Sequence, residues 1–217
     1  MLDIHEDYHV HSSYNDHSAS DLTIKNALNR ATEMGLKTLA FAEHVRRSST
    51  WVPAYIQEIN NLREHSNTNV IIGFEAKILS DGSIDCLETY CRQYMIIASF
   101  HTSYQDKKIW TNALVKAVEN PDVNIIGHLA PEEGFIINNR EVEFLASKIV
   151  ENNKTVEINA KYHRPPPNWI LTFRDKGVNF TLGSDAHSIS EIGQFGSISD
   201  LIHSFPTRRS SDRKSVV

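Results

Sequence analysis

Short apolar runs alternate with stretches of helical periodicity along almost the whole chain. Seven runs read as strands: Asp7–His11, Thr38–Ala42, Val70–Glu75, Met95–Phe100, Val123–Gly127, Thr155–Asn159 and Val178–Gly183. Most are continuously apolar rather than alternating, the pattern of strands buried on both faces of a parallel sheet. Between them, Thr23–Met34 places Ile24, Ala27, Leu28 and Ala31 on one helical face, with Gly35 as a stop. Tyr55–Glu64, Ile109–Glu119, Arg140–Glu151 and Asn168–Lys176 read in the same way, with Ile84–Arg92 a weaker helix. Pro121 and Gly177 break the chain after their helices. Strand–helix alternation without internal repeats predicts an α/β fold, a (β/α)7 TIM-like barrel first and an open doubly wound sheet second.

The length of 217 residues and a 40% hydrophobic content suffice for one sizeable core. Two cysteines, Cys86 and Cys91, exclude a disulfide scaffold and most thiolate metal sites, and read as reduced thiols beside a short helix. No run approaches a membrane-spanning length, and the first residues lack the basic and apolar regions of a secretory leader. A cytoplasmic protein with no membrane partner is the expectation. Residues 203–217 lack apolar periodicity, and codons can be chosen for Thr207–Asp212 whose reverse complement encodes Asp212–Val217. Such an inverted repeat is expected of translated adapter DNA, so the barrel domain is expected to span residues 1–202, cut short at its C-terminal end, followed by a non-native or disordered tail. Setting that tail aside removes four basic residues and one acidic, leaving 18 against 26 and a net charge of −8. An acidic body argues against a long nucleic acid as partner.

Histidine changes the picture most. Seven of the 11 histidines stand at or just after the ends of the predicted strands. The first strand closes with His9-Val10-His11 and then His17, the second with Glu43-His44, the third with Gly73-Phe74-Glu75. The fourth closes with Phe100-His101, the fifth with Gly127-His128 and the seventh with Gly183-Ser184-Asp185-Ala186-His187. Only the sixth, with Glu157 inside its run and Asn159 at its end, lacks a histidine. In a barrel these ends form the active-site face. So many imidazoles and carboxylates exceed the four ligands of one zinc ion, and nitrogen with oxygen but no thiolate suits Zn, Mn or Fe. Two or three such divalent ions are the usual device for hydrolysing phosphate esters, because they make hydroxide near neutral pH and hold the phosphoryl oxygens.

These residues, His9-Val10-His11, His17, His44, Glu75, His101, His128 and Asp185-Ala186-His187, resemble in their order the PHP (polymerase and histidinol phosphatase) domain family. The resemblance spans residues 7–187 and implies a distorted seven-stranded barrel with a trinuclear metal site. It implies one ion on His9, His11, Glu75 and Asp185. A second would sit on Glu75, His101 and His128, with Glu75 bridging, and a third on His17, His44 and His187. Glu75, Asp185 and His128 are assigned the catalytic role. Glu43 departs from the family, which often has Asp before the histidine, and affects only the geometry behind the ligand.

Arg46 and Arg47 after the second strand, and Lys161, His163 and Arg164 after the sixth, are candidates to bind an anionic substrate. His163 is also the candidate to protonate a leaving oxygen. Pro165-Pro166-Pro167 is expected to stiffen its loop and start the next helix. Trp51, Tyr55 and Tyr104 suit ordinary packing better than a pocket. Metal-dependent hydrolysis of a small phosphate monoester, by hydroxide bridging the ions, leads. Phosphodiester or nucleotide cleavage and a non-catalytic metal-binding module are the alternatives.

Overall fold

The computed structural model describes residues 2–14, 16–132, 134–198 and 201, so the tail expected at 203–217 lies outside the described residues. Strands β1 (Glu6–Val10), β2 (Thr38–Val45), β3 (Asn69–Lys77), β4 (Met95–Ser99), β5 (Ile125–Ile126), β6 (Thr155–Asn159) and β7 (Asn179–Gly183) form one parallel sheet in sequence order. Helices α1 (Ile24–Glu33), α2 (Val52–Arg63), α3 (Glu88–Cys91), α4 (Lys107–Glu119), α5 (Asn139–Glu151) and α6 (Pro167–Asp175) connect successive strands. Beyond β7 the chain makes two short 3-10 turns, Ile189–Glu191 and Gly196–Ile198. The sheet curls until its first and last strands meet. Asp185 N–H donates to His9 O at 2.8 Å and His11 N–H to Ala186 O at 3.0 Å, and Val10 bridges Ala186 in parallel register. The result is a nearly closed (β/α)7 barrel, as the alternation of elements predicted.

The seam closes at the carboxyl ends of β1 and β7, so the two histidine-bearing segments there are held by the barrel's own hydrogen bonds. Strand alternation sorts the side chains. Phe74, Ala76, Ile96 and Ala98 join the large apolar layer between sheet and helices. The lumen keeps only a small apolar plug of Ala42, Ile97 and Ile125, flanked by Tyr8 and Met95. Above the plug the inward positions are polar, and they build the site.

Local signals account for most boundaries. Thr23 caps α1 by accepting from Asn26 N–H at 3.2 Å, and Gly35 ends it at φ 68°. Asn138 and Glu141 form a reciprocal capping box at α5. Asp106 accepts from Lys108 and Ile109 N–H, which starts α4 two residues before the apolar periodicity does. α2 likewise begins at Val52, because Pro53 in its first turn lacks only a donor that would be unpaired there. β5 keeps only Ile125–Ile126 of its expected run: at its start Asn124 accepts from Ile96 N–H through its side chain at 2.7 Å, and at its end the chain leaves the sheet into His128, whose φ is 25°. Pro166 and Pro167 start α6 as expected. Cys86 and Cys91 are free and buried, at the short α3. No described helix is long and apolar enough to cross a membrane.

Candidate metal centre

Glu75, near the end of β3 and 1% exposed, is the hub of the barrel mouth. Its Oε1 lies 2.9 Å from His101 Nε2 and 2.8 Å from His128 Nε2. Its Oε2 lies 2.9 Å from His44 Nδ1, 3.4 Å from His9 Nε2 and 3.6 Å from His11 Nε2. Five imidazoles on or just beyond β1, β2, β4 and β5 thus converge on one carboxylate. His11 Nε2 also stands 3.3 Å from Asp185 Oδ1, just beyond β7. Three groups bring their ligand atoms within 4.8 Å of one another: His9, His11 and Asp185; His11, His44 and His187; His44, Glu75 and His101.

The donor set fits metal ions. His9 Nδ1 is held by Glu157 Oε1 at 2.7 Å and His11 Nδ1 by Glu43 Oε1 at 3.3 Å, so each ring places its proton on Nδ1. The two Nε2 lone pairs then face each other at 3.1 Å, with carboxylate oxygens of Asp185 and Glu75 beside them. Acceptors crowded together in a buried space require a cation. In the ion-free protein the cation is a proton. Burial pushes His11 down, but its hydrogen bonds to Asp185 and Glu43 raise it to about 9. Burial likewise opposes, and the charges of Glu157, Asp185 and Glu75 outweigh it, in holding His9 well above the ordinary imidazole range. Glu75 is held well below the usual carboxylate range, since His101 and His9 overcome its desolvation. His187, desolvated and close to His11, is pushed down to about 4.

Behind these residues lies a layer of buried carboxylates. Glu43 accepts from the N–H of Ser12 at 2.9 Å and of His44 at 3.0 Å besides holding His11. Glu157 accepts from His128 N–H at 2.7 Å. Asp7 accepts from Ser184 N–H at 3.0 Å and Gly193 N–H at 2.9 Å, tying β1 to the segment after β7. Asn159 donates to Asp185 Oδ2 at 3.0 Å, a task for which the end of β6 needs no histidine.

Above the centre, two cavities of about 510 and 540 Å³ share His17, His44, Glu75 and His101. The first is bounded by Lys161, Tyr162 and Arg164, carried on a tight loop that Asn159 and Arg164 close by pairing their backbones. Lys161 Nζ lies 2.8 Å from His187 Nδ1. Tyr162, 51% exposed, sets its ring edge-on to His128. The second cavity is bounded by Tyr14, Arg46, Trp51 and Lys77.

Not every expected residue reaches the mouth. Arg47 donates through Nη2 to Ile84 O at 3.0 Å and through its backbone N–H to Asp85 at 3.1 Å, so it anchors the neighbouring loop and lines neither cavity. His163, at φ 53°, lines a separate apolar pocket with Pro165, Pro167 and Leu171. His17 stands at the rim, its side chain 71% exposed and its ring 6.4 Å from that of His44, while His11 takes the place beside His44 and His187. Of the aromatic candidates, Tyr55 is buried and donates to Gly73 O, Tyr104 packs on Phe100, and Trp51 does reach a cavity. The sequence reading did not single out Tyr162, although it lies between two of the selected positions.

The PHP domain model matches residues 7–161. The chain belongs to the PHP domain family. A relative from Clostridium acetobutylicum named "Probable phosphatase" is 27% identical over 97% of this chain and 92% of its own length. Another of the same name, from Aliivibrio fischeri, is 29% identical over 92% of this chain and 84% of its own. The DNA polymerase/3'-5' exonuclease PolX of Bacillus subtilis is 26% identical over 84% of this chain, which corresponds to 34% of that larger protein. Among solved structures, a candidate histidinol phosphatase, hisK, of Listeria monocytogenes superposes with a TM-score of 0.69 over 87% of this chain and 97% of its own, at 15% identity. At that identity the likeness concerns the fold, and it agrees with the barrel described above. The PHP family is metal-dependent, and the His, Glu and Asp groups at this barrel's mouth can bind metals.

Proposed function

We propose that this PHP domain is a metal-dependent phosphoesterase that hydrolyses a small phosphate monoester. The convergence of His9 Nε2, His11 Nε2, Asp185 and Glu75 on one buried space carries this reading. His9, His11, Glu75 and Asp185 would hold one ion. Glu75, His101 and His128 would hold a second, and His44 with His187 and His11 or His17 a third. Zn, Mn and Fe suit this set of imidazole and carboxylate donors. Such ions, when bound, supply Lewis acidity that acidifies water and neutralises phosphoryl oxygens.

The chain's own residues do the rest. Glu75 and Asp185 place negative charge between the rings, so that cations rather than protons are held close together. His128, pinned through its backbone, keeps its Nε2 on Glu75. Lys161 and Arg164 on one side and Arg46 on the other line the cavities into which the ester oxygens and the rest of the substrate extend. Buried packing beneath the centre keeps bulk water to the mouth.

One observation favours a second reading. The cleft extends to both sides of the shared wall of His17, His44, Glu75 and His101, which would also accommodate a phosphodiester with a group on either side. Phosphate release from a panel of monoesters, run beside cleavage of diesters and short oligonucleotides with Zn, Mn or Fe supplied, separates the two. The expected result is turnover of monoesters. Preferential diester cleavage favours the second reading, and no reaction in metal-loaded protein overturns both in favour of a binding module.

A further inference from the structure

We propose that Glu157, a carboxylate of β6 that no metal group includes, is the positioning residue that orients two of the proposed metal ligands at once. The proposal rests on the metal-site reading above. Glu157 is fully buried in the lumen. Its Oε1 receives the His9 ring through Nδ1 at 2.7 Å, and its Oε2 receives the backbone N–H of His128 at 2.7 Å. Each oxygen therefore serves a different ligand residue, one on β1 and one just beyond β5.

The two bonds do different work. The first keeps a proton on His9 Nδ1, so that Nε2 presents its lone pair to Glu75 and His11. The second holds a residue whose backbone is unfavourable for any side chain but glycine: His128 has φ 25°. In that conformation its ring lies with Nε2 2.8 Å from Glu75 Oε1. Glu157 is not among the residues lining the two mouth cavities, so it acts through the rings it aims.

The barrel is built to leave this carboxylate room. A Cβ on Gly183 of β7 would stand 1.9 Å from Glu157 Oε1 and 2.8 Å from His9 Cβ. Gly183 has no positive φ, so close approach is what calls for glycine there. Glutamine at position 157 keeps the shape but has one acceptor. If its oxygen serves His128 N–H, its NH2 faces His9 Nδ1 and displaces the proton to Nε2, the atom needed for metal.

The test is Glu157→Gln in the full chain, with zinc affinity, His9 ring resonances and kinetics measured together. Wild-type protein should show a downfield Nδ1–H resonance of His9 both free of metal and loaded with zinc. In the variant that resonance should vanish or move upfield. Zinc affinity of the weakened site should fall about 10–100-fold. The kcat for the best substrate should fall while KM stays within about twofold, because no substrate contact is lost. A folded variant with wild-type zinc affinity and an unchanged His9 resonance would overturn the proposal. If the variant does not fold, the wild-type spectrum still decides it, since an unprotonated His9 Nδ1 refutes the assignment outright. Failure of the metal-site reading shows differently: wild-type protein would then bind no zinc, while the metal-free His9 resonance still reports whether Glu157 holds the ring.

Discussion

His9 and His11 point their Nε2 atoms at each other across 3.1 Å in a region closed to solvent, each ring held from behind by a separate glutamate. Without metal, protons must fill that gap. His11 is raised from 6.5 to about 9 in the folded, metal-free chain. A group raised on folding contributes its stabilisation in full below its unfolded value and loses it as the pH climbs through the folded one. Metal-free protein should therefore melt at progressively lower temperature between about pH 6.5 and pH 9. Zinc-loaded protein should not, because the ion replaces the proton, and loading at pH 7 should release protons. A metal-free melting curve that is flat across this window, with no proton release on titration, would contradict the account. Elemental analysis of chelator-free preparations should also find more than one equivalent of Zn, Mn or Fe per chain.

Glu75 gives the sharpest single test of the centre. An ionised carboxylate offers both oxygens to neighbouring cations, while an amide offers one weak donor. Glu75→Gln should lower turnover by several orders of magnitude, remove roughly one metal equivalent and leave the barrel's secondary structure intact. A rim carboxylate would instead change stability by no more than about 0.5 kcal/mol and leave turnover alone. Circular dichroism, metal analysis and phosphate release on the same preparation distinguish these outcomes.

At the mouth, position separates residues of similar chemistry. Lys161→Ala and Arg164→Ala remove cations from the cavity wall and should each raise KM about 10-fold or more, the worth of a charge-assisted hydrogen bond. Arg47→Ala removes a loop anchor, costing about 1 kcal/mol of stability with little effect on KM. His163→Ala should leave both kcat and KM within about twofold, since the ring faces another pocket. A His163→Ala variant with a collapsed alkaline limb in its pH–rate profile would identify that residue as a proton donor.

The barrel was legible because parallel strands buried on both faces read as unbroken apolar runs, and the candidate metal centre because their ends carry histidines. His9, His44, Glu75, His101 and His128 needed no tertiary knowledge beyond the rule that barrel chemistry sits at the carboxyl ends. The carboxylates behind them were harder to read. Glu157 lies within an apolar run and Asp7 opens another, and a single acid there reads as an ordinary solvent-facing strand position. Their roles depend on partners 148 and 177 residues away in sequence, namely Glu157 with His9 and Asp7 with Ser184. The division between Lys161 and His163 depends on the turn that pairs Asn159 with Arg164, which no periodicity announces. Likewise the C-terminal end of β5 is set by a backbone conformation at His128 that no pattern announces.

Glycine positions test the packing beneath the site separately from its chemistry. At Gly183 an added methyl would meet Glu157 Oε1 at 1.9 Å and His9 Cβ at 2.8 Å, both fully buried, so neither can yield without disturbing the centre. Gly183→Ala should cost more than about 2 kcal/mol, within the range for overpacking a closed core, and should weaken zinc binding although no ligand is changed. Gly35 has open space around it but a φ of 68°, so Gly35→Ala should cost only the roughly 1 kcal/mol of a left-handed backbone and leave zinc binding intact. Gly196, with open space and no positive φ, should accept alanine with no loss of either. Thermal melts and zinc titrations of the three variants should therefore separate, with only Gly183→Ala moving both. If Gly183→Ala bound zinc as tightly as the wild type, the tight seating of Glu157 against β7 would not be needed to hold the metal ligands.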